Sequence, residues 1–290
     1  MSESVVADFR GRFLVDSRGH DGSEPTSGRV LLSNRRLVLA SDAGKTTVPL
    51  SETFDVAVRE VPVKAREFFD DTVTIGFRRD GEAHTAVVEA DADVIDRFVT
   101  VLYKARLAGT TVALRHPAQV GGRVTDAAAA RATLRIESGG IALEGDGRRV
   151  TIELGNVVHF ERRTRELEGA SRQVLSVRHV VDGTVYTTQL RLASSDAMNI
   201  LGRYLRREYA AHLEAVRDLD LSPADKEVLV ALYSGAEGGH LARMLDLESA
   251  QVSMILSELA DDGLVEVDDQ TSLTARGLLV VNEHLEDVNV

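Results

Sequence analysis

Apolar and polar residues alternate along much of the first 217 positions, then change to a three-and-four spacing in the last part of the chain. Leu37-Val38-Leu39-Ala40 is followed by the polar turn Asp42-Ala43-Gly44-Lys45 and then by Thr46-Thr47-Val48-Pro49-Leu50. Two strand-like runs around a short glycine-containing turn predict a hairpin. The same figure returns 104 residues later: Ile141-Ala142-Leu143-Glu144, the turn Gly145-Asp146-Gly147-Arg148, and Val150-Thr151-Ile152-Glu153-Leu154. Further hairpins are predicted at Asp80-Gly81, after Thr72-Val73-Thr74-Ile75-Gly76-Phe77, and at Asp182-Gly183, after Val174 to Val181. Asp-Gly between alternating apolar runs is a strong hairpin signal.

Each strand-rich stretch leads into one helix. The first opens near Asp93 and places Val94, Phe98, Val101, Leu102 and Ala105 on one face; the second opens near Asp196 with Met198, Leu201, Leu205 and Tyr209. Matching Phe98 to Leu201 and Leu102 to Leu205 gives an offset of 103, close to that of the hairpins, so the pattern predicts a duplication. The expected fold class is α+β: two tandem strand-rich modules of pleckstrin-homology-like type, 1–108 and 109–217, each closed by a helix.

Residues 218–290 follow another rule. Ser222-Pro223-Ala224-Asp225 combines a capping serine, proline at the first helical position and an acid at the third. A second short helix carries Leu241, Met244 and Leu245, and a third has Val252, Ile255, Leu256 and Leu259 at i, i+3, i+4 and i+7 before Gly263. Leu264 to Thr274 predicts a small hairpin, and a last helix follows from about Ala275 to Leu285. Three helices, a two-stranded wing and a closing helix predict a winged helix.

Charge changes how that domain is understood. From Asp218 onward there are sixteen acidic residues against Lys226, Arg243 and Arg276, a net charge of −13, while the first 217 residues are almost neutral. Phosphate neutralisation by basic side chains supplies most non-specific DNA affinity. The third helix has no basic residue between Glu248 and Asp262, and the wing tip carries Asp268 and Asp269. Nucleic acid is therefore not an expected partner. The exposed face of that helix is expected to be Ala250, Met254, Ser257 and Asp261, small residues around a methionine, which suits a protein contact. Only four of the 34 basic residues are lysine, and acidic residues number 46, a balance expected in a salt-rich cytosol, although a GC-rich genome also favours arginine.

Candidate chemistry adds little. Cysteine is absent, so thiolate metal sites, disulfides and cysteine nucleophiles are excluded. None of the eight histidines stands at metal-ligand spacing from another, and each is expected to be a surface or structural residue. No phosphate-cradling loop or nucleophile elbow occurs. The expectation is therefore no metal, no cofactor and no enzyme. No stretch approaches the roughly 18 apolar residues of a membrane span, and no signal peptide is evident, so a cytoplasmic location is expected. Basic spots occur at Arg10 and Arg12, at Arg35 and Arg36, and most densely at Arg162, Arg163 and Arg165, which could fork onto carboxylates of a partner or pair with local acids. Phe68-Phe69 is either a core anchor or a partner anchor.

Phe9-Arg10-Gly11-Arg12-Phe13, Gly28 to Leu37, Phe68-Phe69-Asp70-Asp71-Thr72-Val73-Thr74-Ile75, Phe160-Glu161-Arg162 and Val174 to His179 together resemble the archaeal taxis adaptor family CheF, of haloarchaeal type. The resemblance covers nearly the whole chain. It implies a non-catalytic role linking a chemotaxis system to the archaellum motor switch. The implied partners are a phosphorylated CheY-type response regulator, CheD and CheC-type proteins, and archaellum accessory proteins. It assigns none of them to particular residues and leaves a homodimer open. Two other readings stay open: a transcription regulator with duplicated sensing modules on a winged helix, and a module for anionic lipids.

Overall fold

The computed structural model describes residues 2–16, 24–59, 72–167, 170–236, 238–267 and 271–288, with the side chains of 165–167, 170–171, 238–239 and 285–288 left undescribed. Among these residues the chain is mixed α+β, with large antiparallel sheets and six α-helices. Phe68, Phe69, Asp268 and Asp269 lie outside the described residues, as does the Arg165 side chain.

The first sheet contains β1 (Val5–Asp16), β2 (Thr26–Ser33), β3 (Arg36–Ser41), β4 (Gly44–Pro49), β5 (Thr53–Val58), β6 (Thr72–Arg79) and β7 (Glu82–Glu89), followed by helix α1 (Ala92–Leu107). Its order is β4-β3-β2-β1-β7-β6-β5. The second contains β8 (Thr110–Val120), β9 (Arg123–Val124), β10 (Ala130–Glu137), β11 (Gly140–Gly145), β12 (Arg148–Glu153), β13 (Val157–Leu167), β14 (Ala170–Val181) and β15 (Thr184–Leu192), followed by helix α2 (Ser195–Arg217). Its order is β12-β11-β10-β8-β15-β14-β13, with β9 paired only to β8. Strand for strand the two paths are the same.

Fine detail repeats as well. A single 3-10 turn separates β4 from β5 at Leu50–Glu52, and another separates β12 from β13 at Leu154–Asn156. The register of β5 on β6 shifts between Thr53 and Asp55, and that of β13 on β14 shifts between Val157 and His159. These shifts mark a bulge at the same place in each copy, where an extra residue re-aims the side chains that follow. Strand crowding is handled differently. A Cβ on Gly28 would lie 2.2 Å from the Ala40 carbonyl oxygen, and one on Gly145 would lie 2.1 Å from that of Arg131. The glycine that permits the close approach sits on the second strand of one copy and on the third strand of the other.

The last part of the chain forms α3 (Pro223–Tyr233), α4 (Gly238–Met244), α5 (Ser249–Asp261), β16 (Val265–Val267), β17 (Thr271–Leu273) and α6 (Ala275–Val288). Helix α3 starts where the sequence places it. The Ser222 hydroxyl accepts from the Asp225 amide at 3.2 Å, and the Asp225 carboxylate accepts from the Ser222 amide at 2.7 Å, with Pro223 opening the helix. That reciprocal pair satisfies two otherwise orphaned donors. Val252, Ile255 and Leu259 of α5 are buried in one apolar cluster with Val228, Leu229 and Leu279. Val158, Val180 and Val216 belong to that cluster too, so the C-terminal helices share apolar packing with β13, β14 and α2.

Contacts divide the chain into two compact units. One comprises Met1–Val112, Thr133–Glu137 and Leu192–Leu205; the other comprises Ala113–Ala132, Ser138–Arg191 and Arg206–Val290. No helix among the described residues is long and apolar enough to cross a membrane.

Candidate functional site

The exposed surface of α5 follows from its apolar spacing. With Val252, Ile255 and Leu259 buried, Ala250, Met254, Ser257 and Asp261 all face outward. They fall at i, i+4, i+7 and i+11, so they form one stripe along the helix. Met254 keeps 58% of its surface exposed. Ala250 and Ser257, one turn away on either side along the stripe, are small. The stripe contains no basic residue and ends on a carboxylate. It offers a flexible apolar contact rimmed by acid, and no group that could neutralise a phosphate.

The arginines singled out by density behave otherwise. Arg162 and Arg163 are consecutive on β13, opposite Leu175 and Val174 of β14, so their side chains stand on opposite faces of the ribbon. Arg163 pairs with Glu161 at 2.6 Å. The two cannot form a single fork. Each of the other basic spots has one arginine tied to a carboxylate. Arg12 pairs with Glu89 at 2.9 Å. Arg36 reaches Glu3 through two nitrogens at 2.8 and 3.0 Å. Hydrogen bonds from Ser33 and Arg36 hold the Glu3 carboxyl below its ordinary range. A groove of about 980 Å³ that includes Arg10, Arg12 and Arg29 is likewise lined by Glu89, Asp42 and Asp91, and Arg29 is held bidentately by Asp8 at 2.8 and 2.6 Å. These surfaces balance their own charge.

Sequence spacing missed two internal constellations. On the bulge of β5, Asp55 accepts from Arg203 Nε at 3.0 Å, from an Arg203 terminal nitrogen at 3.1 Å and from Asn199 at 3.2 Å. Asn199 and Arg203 are one turn apart on α2. The second is a buried polar knot. The Thr188 hydroxyl lies 2.7 Å from His116 Nδ1 and 3.0 Å from His179 Nε2. A hydroxyl has one proton, so it donates to one ring and accepts from the other, which suits two neutral imidazoles. Burial pushes the His179 imidazole down to about 4, and the nearby His116 ring acts in the same direction. Burial also lowers His116. Among the described residues no group of three or more potential ligands could hold a metal ion.

Comparison with known proteins fixes the family. The model of a family described as Archaeal Chemotaxis signal transduction system protein F matches residues 5–211. The chain belongs to this family. Taxis protein CheF2 of Halobacterium salinarum is 43% identical over 290 residues, covering 100% of both chains. Taxis protein CheF1 of the same organism is 29% identical over 293 residues, covering 99% of each. Membership places the chain in chemotaxis signal transduction, and these relatives come from a salt-loving archaeon, in line with the arginine and acid balance. A second family model, described as a domain of unknown function, matches residues 220–286, the segment that carries the α5 stripe. Among solved structures, Inner Membrane Complex Sub-compartment Protein 3 from Toxoplasma gondii aligns over 40% of this chain and 86% of that chain at 14% identity. Its TM-score of 0.28 carries no argument.

Proposed function

We propose that this member of the CheF family is a non-catalytic cytoplasmic adaptor. It joins the phosphorylated CheY-type response regulator, with CheD and CheC-type proteins, to accessory proteins of the archaellum motor. The two sheets, with their common strand order and closing helices, are read as pleckstrin-homology-like modules that carry contacts. The C-terminal helices and short hairpin are read as a winged helix turned from DNA to protein docking.

The observation that carries this reading is the α5 face. A helix that enters a major groove draws most of its non-specific affinity from cations presented to phosphate. This one presents Ala250, Met254, Ser257 and Asp261, without a basic residue. The mechanism is binding: phosphorylation of the regulator changes its affinity for the adaptor, and the complex changes the motor's rotational bias. No bond in this chain needs to be made or broken.

Replacement of Met254 by aspartate tests the docking face. The side chain is 58% exposed, so stability is expected to change by less than about 0.5 kcal/mol. Partner affinity is expected to fall by about tenfold or more, since a new charge must be desolvated at the contact. In cells lacking the native gene, the wild-type chain restores stimulus-driven swimming reversals and Met254→Asp does not. Full restoration by the variant, or normal reversal control in the deletion strain itself, refutes the reading.

A further inference from the structure

The unit containing β13 to β15 has a pocket of about 610 Å³ bounded by β13, β14, α2 and α6. Its floor is apolar. Phe160 and Tyr209 meet edge to face with ring centroids 5.5 Å apart, beside Leu213 and Leu279. The Tyr209 hydroxyl donates to the Val158 carbonyl at 3.2 Å, which fixes that wall.

The rim carries two guanidinium groups and an imidazole. His159, Arg178 and Arg206 line it, and all three are exposed. His159 and Arg178 are direct partners in the β13–β14 register, so they stand on the same face. None of the three side chains has a hydrogen bond or ion pair among the described residues. The rim carboxylate, Glu283, is engaged by Arg217 at 2.8 and 2.6 Å. Two guanidinium groups thus flank an apolar floor whose lining carboxylate among the described residues, Glu283, is already held by Arg217.

The duplication supplies the meaning of this position. His159 and Arg178 follow the bulge of the second copy, where Asp55 and Gly76 are paired in the first. There the Asp55 carboxylate holds a helix through Arg203 and Asn199. A side chain at 76 would put its Cβ 2.7 Å from the Phe54 ring. The first copy therefore uses its bulge to clamp a helix by an acid–base pair. The second copy keeps the bulge, lacks the acid, and places Arg178 where the first has Gly76.

We propose that this pocket docks an acidic segment of a partner protein, a helix that presents a carboxylate one turn from an apolar residue. The carboxylate lies between Arg178 and Arg206, and the apolar residue covers Phe160 and Leu279. Guanidinium–carboxylate pairs can be bidentate. Beside an apolar floor they are less screened than on open surface, which matters in high salt. Only the word partner rests on the adaptor reading; the acidic chemistry rests on the pocket.

The probe is a fluorescein-labelled peptide copying residues 195–207 with Arg203→Glu. It copies the segment held by the first copy and puts a carboxylate in place of the cation at position 203. Fluorescence anisotropy with the full chain, in about 1 M KCl where the Debye length is about 3 Å, reads its affinity. The expected result is at least about tenfold tighter binding than the unaltered peptide, a free-energy gap of about 1.4 kcal/mol. The double variant Arg178→Glu, Arg206→Glu abolishes that preference, and because both side chains are exposed its fold is retained. Equal binding of the two peptides, no binding at about 1 mM, or a preference that survives the double variant overturns the proposal. So does a tenfold gain in peptide affinity for a Glu286→Gln, Asp287→Asn chain, which assigns the site to this chain's own C-terminal residues. A wild-type dimer in sedimentation that the double variant dissociates assigns it to a second copy, and also overturns the partner. Failure here leaves regulator binding at the α5 face unaffected, so the two readings fail separately.

Discussion

Replacement of Asp55 by alanine is expected to lower the stability of the chain by about 2 kcal/mol, the range for hydrogen bonds to charged groups. The carboxylate accepts from Arg203 through both oxygens, from Asn199, and from the Val56 amide at 3.0 Å. Arg203 and Asp55 keep only 26% and 28% of their side-chain surface exposed. Removal leaves a half-buried guanidinium and an amide without these acceptors, and breaking one side of such a pair costs more than the pair contributes. Asp55→Asn should recover part of the loss, because it preserves an acceptor for Asn199 and Val56. Denaturant melts of Asp55→Ala, Arg203→Ala and the double variant give the coupling directly. The exposed bidentate pair between Arg29 and Asp8 is the control: its loss should leave the midpoint nearly unmoved, because surface pairs contribute little. Additive effects at Asp55 and Arg203 would show that this clamp does not hold α2.

Acid is expected to destabilise the chain through His179. Its side chain is 1% exposed, and burial lowers its imidazole to about 4 from an ordinary 6.5. A group whose folded value is depressed gives stability that is complete above the unfolded value and lost as pH falls toward the folded one. The window therefore runs from about 6.5 down to about 4. The full difference corresponds to about 3 kcal/mol at 1.36 kcal/mol per unit. Lowered by its own burial, His116 adds to the same trend. Urea titrations at several pH values, at one KCl concentration, measure the slope. In His179→Gln the slope across this window should shrink by up to about 1.4 kcal/mol per pH unit, one proton's worth. An unchanged slope would mean that the Thr188 knot is not where the chain resists protonation.

The sequence discloses local geometry better than long-range pairing, for a physical reason. Hairpins at Asp80-Gly81 and Asp182-Gly183, the cap at Ser222 and the outward stripe on α5 all depend on residues within a few positions of each other. Each of these forms as expected. The duplication is legible because two hairpins and two helices repeat with offsets of 104 and 103, and the common strand order of the sheets follows the same spacing. Asp55, Asn199 and Arg203 carry no such signal, since 144 positions or more separate the acid from its partners. His116 and His179 meet only when β8, β14 and β15 lie side by side. Charge density was the poorest guide. Arg162 and Arg163 look like a cluster in the sequence, yet strand alternation sends them to opposite faces, while Arg178 and Arg206, from separate elements, share one pocket. The exchange of the Asp55–Gly76 pair for His159–Arg178 becomes visible only when the two bulges are compared.

The central claim is that this member of a chemotaxis family works by binding a signalling protein rather than DNA. The direct measurement is a titration of the full chain with the purified CheY-type regulator, with and without its phosphoryl group, in about 1 M KCl where non-specific attraction is screened. The account predicts a saturable complex whose affinity changes by about tenfold or more with phosphorylation and falls in Met254→Asp. No complex in either state, together with a sequence-dependent mobility shift of duplex DNA by the same preparation, would contradict it.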